Sequence, residues 1–397
     1  MVTQSPLFYE DEHQLEGSED IARLHKDAFS SSVVSGNDWT TETLLNQINK
    51  GNIQLNPDFQ RRDAWDRSRK SRFVESLILG LPVPQVVLAE SKERRGSFIV
   101  LDGKQRLLTI RQFVSNQGDP EYDPLKLQGL EIRDDLNGKT FSDLREDLTL
   151  YDDLSSFENQ PIRTVVIKNW DNEDVLYHIF LRLNTGSVPL SPQELRQALH
   201  PGPFLQFLDI ESSKSIALRD ILNLSKPDFR MRDAELLLRY FSFKNYLFRY
   251  TGSLKPFLDE VCRTTNARWD QMAVLLSEQL QDFELAHAAI VEIFEGNQYR
   301  RWNGTYFENR FNRAVFDVMM LTFSYPAVRA ASYGHEIELL NAYRDLCEND
   351  RDFADSLQST TKSLFSTYSR ISKWTEAVNF VLGTEIPVPL IAGYRPR

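Results

Sequence analysis

The sequence predicts an α+β fold in its N-terminal half and an all-helical fold in its C-terminal half. Before about residue 202, short apolar or alternating runs of strand type are interspersed with amphipathic helical patterns. After residue 202 the strand patterns fade, and apolar residues recur at helical spacing in long segments. Because 397 residues exceed what one ordinary core organises, two domains are expected. We therefore expect a flexible tail over residues 1–36, an α+β domain over 37–202 and a helical domain over 203–397.

Capping residues and periodicity mark the elements of the α+β domain. Its strands are predicted at residues 53–55, 85–90, 97–101 and 162–167. Its helices are predicted at residues 40–49, 66–79, 103–116, 172–183 and 191–199. Thr40 or Thr41 caps the first of these helices. Ser191 caps the last, with Pro192 at the first helical position and Glu194 at the third.

The rest of the chain divides into an irregular stretch and a run of helices. Residues 117–160 are turn-rich and carry no clear period. Helical spacing recurs in the C-terminal half at residues 230–250, 254–264, 269–295, 308–323, 336–348 and 364–381. No internal repeat is visible in the sequence.

Composition restricts the class of protein and its partners. The hydrophobic content of 41% supports packed cores and argues against wholesale disorder. The net charge of −11 argues against nucleic-acid binding by the whole surface, so DNA is not a partner that the charge supports. The two cysteines, Cys262 and Cys347, suit a reducing cytosol. The sequence shows neither an apolar run of membrane-spanning length nor a signal-peptide pattern, so we expect a soluble cytoplasmic protein with no membrane partner.

The most informative segment is the turn at Asp102-Gly103, where an apolar strand stops and a helical pattern follows at once. Helix N-termini with nearby cations attract phosphate, and Lys104 and Arg106 lie in the first turn of this helix. Gly103 has no Cβ and allows a ligand or backbone to approach closely, while Gln105 offers both a donor and an acceptor. The alternative is a plain strand-to-helix turn in which Asp102 caps its own helix, and spacing alone does not separate the two.

Two further clusters carry polar groups that suit a phosphate ligand. In the first, Gln60 and Arg61 lie in a loop between a strand and a helix, within reach of a nucleotide. The second joins two helices, and its candidate binding residues are Arg182, Asn184, Thr185 and Arg196. A structural interpretation stays open for both clusters: solvated charges in the loop, and polar residues that satisfy each other at the joint.

Together these clusters form four sequence blocks, over about residues 40–200. The blocks are Asn56-Pro57-Asp58-Phe59-Gln60-Arg61 with Trp65, Leu81-Pro82-Val83-Pro84, Asp102-Gly103-Lys104-Gln105-Arg106-Leu107, and Arg182-Leu183-Asn184-Thr185-Gly186 through Glu194-Leu195-Arg196. They resemble, in order and spacing, the N-terminal domain of GmrSD-type, modification-dependent restriction systems. The resemblance implies a ParB/sulfiredoxin-like nucleotide-binding domain with a small mixed sheet. It also implies a nucleoside triphosphate and Mg²⁺ as the ligands.

The same resemblance assigns chemical roles within the central block. It makes Asp102 the candidate for binding the metal and positioning water, and Arg106 the candidate for stabilising charge that develops on phosphate. The sequence departs from the family pattern at Lys104, where Gln is usual, and at Phe59, where Tyr is common. The lysine adds a positive charge that should not weaken phosphate binding but bears on hydrolysis, and Phe59 lacks a hydroxyl. Nucleotide binding is therefore better supported than NTPase turnover.

The C-terminal half lacks the sequence signs of a nuclease. Many members of the family end in a His-Asn-His nuclease domain, which needs paired histidines beside a metal-binding carboxylate. Beyond residue 202 the sequence has only His287 and His335, each isolated in helix-like sequence, so no nuclease is expected in this chain. Residues 302–313 are dense in aromatic and arginine side chains. They suit a partner or nucleic-acid surface, or equally a helix cap followed by ordinary packing.

The leading hypothesis is a nucleotide-binding regulatory or sensor protein with weak NTPase activity, in a prokaryotic phage-defence or toxin–antitoxin-like system. Its helical half would hold a separate nuclease or toxin subunit. One alternative is a DNA-acting, restriction-type enzyme whose nuclease site is not recognised in the sequence. The other is an interaction scaffold that does not bind nucleotide.

Overall fold

Two compact units make up the part of the chain that the computed structural model describes, which is residues 32–53, 55, 62–183, 191–358, 363–388 and 391. The sheet unit runs to Leu199 and also takes Phe229–Met231. The helical unit comprises His200–Asp228 and the residues from Arg232 onward. The prediction of an α+β N-terminal part followed by a helical part is confirmed.

A four-stranded mixed sheet organises the sheet unit, with strand order β1-β4-β2-β3. β1 (Val33–Thr40) pairs antiparallel with β4 (Pro161–Lys168), and β4 pairs parallel with β2 (Val86–Glu90). β2 also pairs antiparallel with β3 (Phe98–Asp102). This is the small mixed sheet that the resemblance implied, and its β3 edge leads directly into the turn at Gly103.

Helices supply much of the remaining described structure of the sheet unit. They are α1 (Thr41–Asn49), α2 (Arg67–Ile78), α3 (Lys104–Val114), α4 (Phe141–Glu146), α5 (Tyr151–Asn159), α6 (Glu173–Leu183) and α7 (Pro192–Leu199). Leu44 of α1, Leu77 of α2 and Leu107 of α3 are fully buried in an apolar core that also contains the strand residues Leu88 and Val166. Each such side chain contributes about 1.5–3 kcal/mol when buried, so this core fixes α3 against the sheet.

Side-chain caps start two helices of this unit where the sequence predicts. Thr40 Oγ1 accepts a hydrogen bond from the backbone N–H of Thr43 at 3.1 Å, at the start of α1. Asp66 Oδ1 accepts from the backbone N–H of Arg69 at 2.7 Å, at the start of α2. Each cap satisfies a backbone donor that the helix itself leaves without a partner.

Three expectations for the sheet unit were wrong in detail. The predicted tail included residues 33–36, but Val33–Thr40 forms β1. The Gly, Asn and Asp residues of β1 have a poor strand propensity, so the sequence does not predict this strand, and pairing with β4 outweighs that propensity. The strand predicted at residues 53–55 is, where described, an isolated bridge from Ile53 to Phe98. The stretch predicted to be irregular contains α4 and α5, which are short and so give little periodicity. Residues 1–31 of the predicted tail lie outside the described residues.

The helical unit is built from ten helices among the described residues. They are α8 (Pro203–Lys214), α9 (Ile216–Ile221), α10 (Arg232–Tyr246), α11 (Leu254–Ala267), α12 (Trp269–Phe294), α13 (Arg313–Phe323), α14 (Pro326–Ser332), α15 (Glu336–Asn349), α16 (Arg351–Gln358) and α17 (Leu364–Leu382). The sequence patterns missed α8, α9, α14 and α16, and they placed the start of α13 too early, at residue 308. Asn312 Oδ1 caps α13 by accepting from the backbone N–H of Val315 at 3.0 Å. No helix in the described ranges combines the length and apolarity that crossing a bilayer requires.

An ionic network lies inside the helical unit. Arg239 of α10 donates through Nε to Asp317 Oδ1 of α13 at 3.0 Å, with a second contact from Nη2 to Oδ2, and neither side chain is more than 2% exposed. Arg313 Nε of α13 lies 3.6 Å from Glu235 Oε1 of α10, and Arg370 of α17 is a third buried guanidinium. Burial raises the pKa of Asp317 and lowers the pKa of Arg370. Because these charges are shielded from water, each depends on its partner.

Candidate functional site

The candidate site is built where β3 passes into α3. Gly103 stands at the N-cap of α3 with φ 96° and ψ 9°, and no side chain caps the helix there. A Cβ at this position would lie 3.0 Å from Val86 Cγ2 and 3.3 Å from Val86 Cα. Glycine is therefore required twice, by its left-handed backbone and by the close approach of β2. The close approach at Gly103 is made by the side chain and backbone of Val86 and by Arg106 Nη2.

Arg106 folds back from the first turn of α3 onto the end of the sheet. Its Nη2 donates to Asp102 Oδ2 at 2.9 Å and to the backbone oxygen of Gln85 at 2.8 Å. The residue is 5% exposed, and its Nε is buried without a hydrogen-bond partner. The Asp102 carboxylate is thus bound by a side chain of α3, while Gly103 occupies the N-cap position. Asp102 therefore bonds its own helix, as the structural alternative expected, but through the Arg106 side chain and not as the cap.

Lys104 makes a contact that sequence reasoning missed. Its Nζ donates to Glu194 Oε1 of α7 at 2.8 Å, and the two side chains are 7% and 6% exposed. Glu194 Oε2 accepts from the backbone N–H of Ser191 at 2.7 Å, and Ser191 Oγ accepts from the backbone N–H of Glu194 at 3.1 Å. The capping box predicted at Ser191 is therefore confirmed. The same carboxylate that completes the cap also reaches the central block, 90 residues earlier in the chain.

These contacts set the charge balance of the site. Two cations, Lys104 and Arg106, are each paired with one carboxylate, Glu194 and Asp102. The positive charge that Lys104 adds relative to the family pattern is thus balanced by Glu194. Attraction of an anion then depends on the backbone N–H groups at the start of α3 and on how firmly each carboxylate holds its cation.

Three other predicted binding residues, Gln105, Arg182 and Arg196, lie among the described residues. Gln105 is half-buried, and its Oε1 is buried without a hydrogen-bond partner. Arg196 of α7 is buried and donates to Gln193 Oε1 at 2.7 Å, whereas Arg182 is exposed on the last turn of α6. Four predicted residues, Gln60, Arg61, Asn184 and Thr185, lie outside the described residues.

A divalent metal at this site would rely on few protein ligands. Within the described ranges, no three His, Cys, Asp or Glu side chains come together in a metal-binding group. Asp102, at 25% side-chain exposure, offers one carboxylate. Mg²⁺ is commonly bound by one or two carboxylates together with substrate phosphates and water, so the residues present fit a metal that arrives with a nucleotide.

His287 of the helical unit has two side-chain partners within that unit. His287 Nδ1 lies 2.9 Å from Tyr299 Oη, and its Nε2 lies 3.0 Å from Asp220 Oδ2. Burial is the largest influence on His287 and lowers its pKa, although Asp220 and Glu284 act in the opposite direction. His335 immediately precedes α15. The prediction that His287 has a structural role agrees with these contacts.

The aromatic and arginine residues near residues 302–313 pack against one another. The Arg344 guanidinium lies 4.6 Å from the centre of the Trp302 ring and 5.4 Å from that of Phe307. Trp302 Nε1 donates to Glu348 Oε1 at 2.6 Å. Together with the Asn312 cap of α13, these contacts favour the packing interpretation of this segment over a nucleic-acid surface.

Comparison with known proteins identifies the sheet unit. Residues 41–201 match a family model described as the N-terminal domain of GmrSD restriction endonuclease. A comparison with curated proteins found no match, and a comparison with solved structures found none either. The matched range contains the Gly103 turn, the Lys104–Glu194 pair and the capping box of α7. Residues 41–201 of this chain are therefore similar to the N-terminal domain of the GmrSD restriction endonuclease family.

Proposed function

We propose that the domain at residues 41–201 binds a nucleoside triphosphate with Mg²⁺. The chain would use that nucleotide as a regulator or sensor in a restriction or phage-defence system, acting with a separate nuclease or toxin subunit. The family name of the domain supports the link to restriction.

The observation that carries the proposal is the N-terminus of α3 beside Arg106. Among the described residues, no side chain caps this helix, and Arg106 Nε is a buried donor without a hydrogen-bond partner. Phosphate oxygens are acceptors that suit both the backbone N–H groups of a helix N-terminus and the edge of a guanidinium. Gly103 leaves no side chain of its own in front of these donors.

The finer chemical roles follow from the same contacts. Asp102 would hold Mg²⁺, which would supply charge neutralisation for the triphosphate. Arg106 would stabilise charge on the transferred phosphoryl group, which is the role that gives weak NTPase activity. Gln105 Oε1 and Arg106 Nε are buried polar atoms without a hydrogen-bond partner among the described residues. Gln60, Arg61, Asn184 and Thr185 complete the proposed binding set.

A titration of thermal stability tests binding. The melting temperature is measured with Mg²⁺ and each of ATP, GTP, CTP and UTP, for the wild type and for Arg106→Gln. A ligand at 100 times its Kd stabilises the native state by about 2.7 kcal/mol, which corresponds to roughly 5–10 °C in a unit of this size. We expect this rise with at least one nucleotide in the wild type and its loss in Arg106→Gln. Arg163→Gln is the matched control, because Arg163 is 55% exposed in the same unit and pairs only at the surface with Asp38.

The binding experiment and a DNA-cleavage assay also distinguish the two alternative functions, an interaction scaffold and a restriction-type enzyme. The paired charges of Lys104 with Glu194 and of Arg106 with Asp102 make an interaction scaffold the second candidate, and the absence of any shift with all four nucleotides would favour it. DNA cleavage by the purified chain, lost in Asp102→Ala, would identify a restriction-type enzyme instead. An Arg106→Gln protein that binds nucleotide as well as the wild type would remove Arg106 from the site.

A further inference from the structure

The Lys104–Glu194 pair controls how much positive charge the candidate site can offer. Lys104 Nζ and Glu194 Oε1 are 2.8 Å apart, and both side chains are almost fully buried. The charge of an ammonium in such a pair is opposed at close range by the carboxylate. We propose that Glu194 is a positioning residue that holds Lys104 away from phosphate and thereby limits the affinity of the site for phosphorylated ligands. This inference rests on the proposed nucleotide binding.

Glu194 is itself fixed, so it does not simply follow Lys104. Its second oxygen, Oε2, accepts from the backbone N–H of Ser191 at 2.7 Å, and Ser191 Oγ caps the backbone N–H of Glu194. These two bonds tie the carboxylate to the first turn of α7, which in turn contacts β3. A phosphate at the start of α3 must therefore compete with an anchored carboxylate for the Lys104 ammonium.

An isosteric substitution separates the charge of Glu194 from its shape. In Glu194→Gln the amide oxygen can still accept from Ser191, since Gln also serves in capping boxes. Lys104 then keeps its charge, while the carboxylate charge of Glu194 is removed. A unit charge released near a bound phosphate changes the dissociation constant by about tenfold. We expect Glu194→Gln to bind Mg-ATP about tenfold more tightly than the wild type.

The closing experiment is a double-mutant cycle read by calorimetric titration of the full chain with Mg-ATP and with AMP. The proteins are the wild type, Glu194→Gln, Lys104→Gln and the double variant. We expect the gain from Glu194→Gln to vanish when Lys104 is also Gln, because the effect acts through the Lys104 charge. Glu131→Gln is the matched control. It removes the same charge from a pair with Arg72 that is exposed in the same unit, at 73% for Glu131, and should leave both affinities unchanged.

The outcomes distinguish a failure of the proposed nucleotide binding from a failure of the role proposed for Glu194. If the wild type does not bind Mg-ATP, the proposed function fails, and this inference fails with it. If the wild type binds but Glu194→Gln weakens ATP and AMP alike, Glu194 has only a structural role. A gain that persists in the Lys104→Gln background would likewise overturn the role of Lys104. If Glu194→Gln does not fold, Glu194→Asp replaces it; its shorter carboxylate retracts from Lys104, and unchanged ATP affinity in that variant would overturn the inference.

Discussion

Substituting alanine at Gly103 probes how tightly the turn of the candidate site is built. Its φ of 96° lies in the left-handed region, where a residue with a Cβ costs about 1–2 kcal/mol. The new Cβ would also lie 3.0 Å from Val86 Cγ2, 3.2 Å from Arg106 Nη2 and 3.3 Å from Val86 Cα. Such overpacking adds about 1–3 kcal/mol. Gly103→Ala should therefore lower the free energy of unfolding by about 2–5 kcal/mol.

A second glycine isolates the packing part of this loss. Gly51 follows α1 with φ 67°, and a Cβ there would meet no atom within 4 Å. Gly51→Ala should then cost only the backbone part, about 1–2 kcal/mol. The entropy that alanine removes from the unfolded chain is common to both variants and cancels in the comparison.

Urea denaturation, followed by circular dichroism and tryptophan fluorescence, measures both variants. We expect Gly103→Ala to be less stable than Gly51→Ala by about 1–3 kcal/mol. Equal losses would refute the argument that the approach of Val86 requires glycine at position 103. Because the added Cβ also crowds Arg106, Gly103→Ala should weaken nucleotide binding more than Gly51→Ala does.

Two further predictions concern the helical unit. Asp317→Asn should lower the free energy of unfolding by about 3–5 kcal/mol because it removes the buried carboxylate that pairs with Arg239 and also acts on Arg370; urea denaturation measures the loss, and a variant as stable as the wild type would contradict the reasoning. His287 has a lowered pKa in the folded protein, so folding disfavours its protonation. Its contribution to stability is therefore complete above the ordinary histidine pKa of about 6.5 and is lost as the pH falls through that value toward the folded-state pKa. The urea midpoint should drop more between pH 7.5 and 5.5 in the wild type than in His287→Gln, and parallel curves would exclude His287 as the cause.

The sequence predicted those parts of the fold that local signals specify. Thr40 and Ser191 cap helices where expected, because a cap depends on a side chain and a backbone N–H only three residues away. β1 was missed because its stability comes from pairing with β4, more than 120 residues later in the chain, as the bond from Ser35 Oγ to Val166 shows. Short helices such as α9 were missed because six residues show too little of a helical period.

In the candidate site, too, the sequence predicted the local features and missed the contact between residues that are distant in the chain. The turn at Gly103 and the two cations after it were recognisable, since they adjoin one another in sequence. The partner of Lys104 was not, because Glu194 is 90 residues away and had an adequate local explanation as part of a capping box. When a buried side chain contacts two partners, the sequence predicts only the contact with the partner that is close in the chain.

The position of β1 has a practical consequence for trimming the protein. The family match begins at residue 41, immediately after β1 ends at Thr40. A fragment cut at that boundary would lose the strand that pairs with β4 along all eight of its residues. β4 would become a bare sheet edge with unpaired N–H and C=O groups, which invites strand addition between molecules and aggregation. A fragment of this domain that is meant to stay monomeric should therefore begin before Val33.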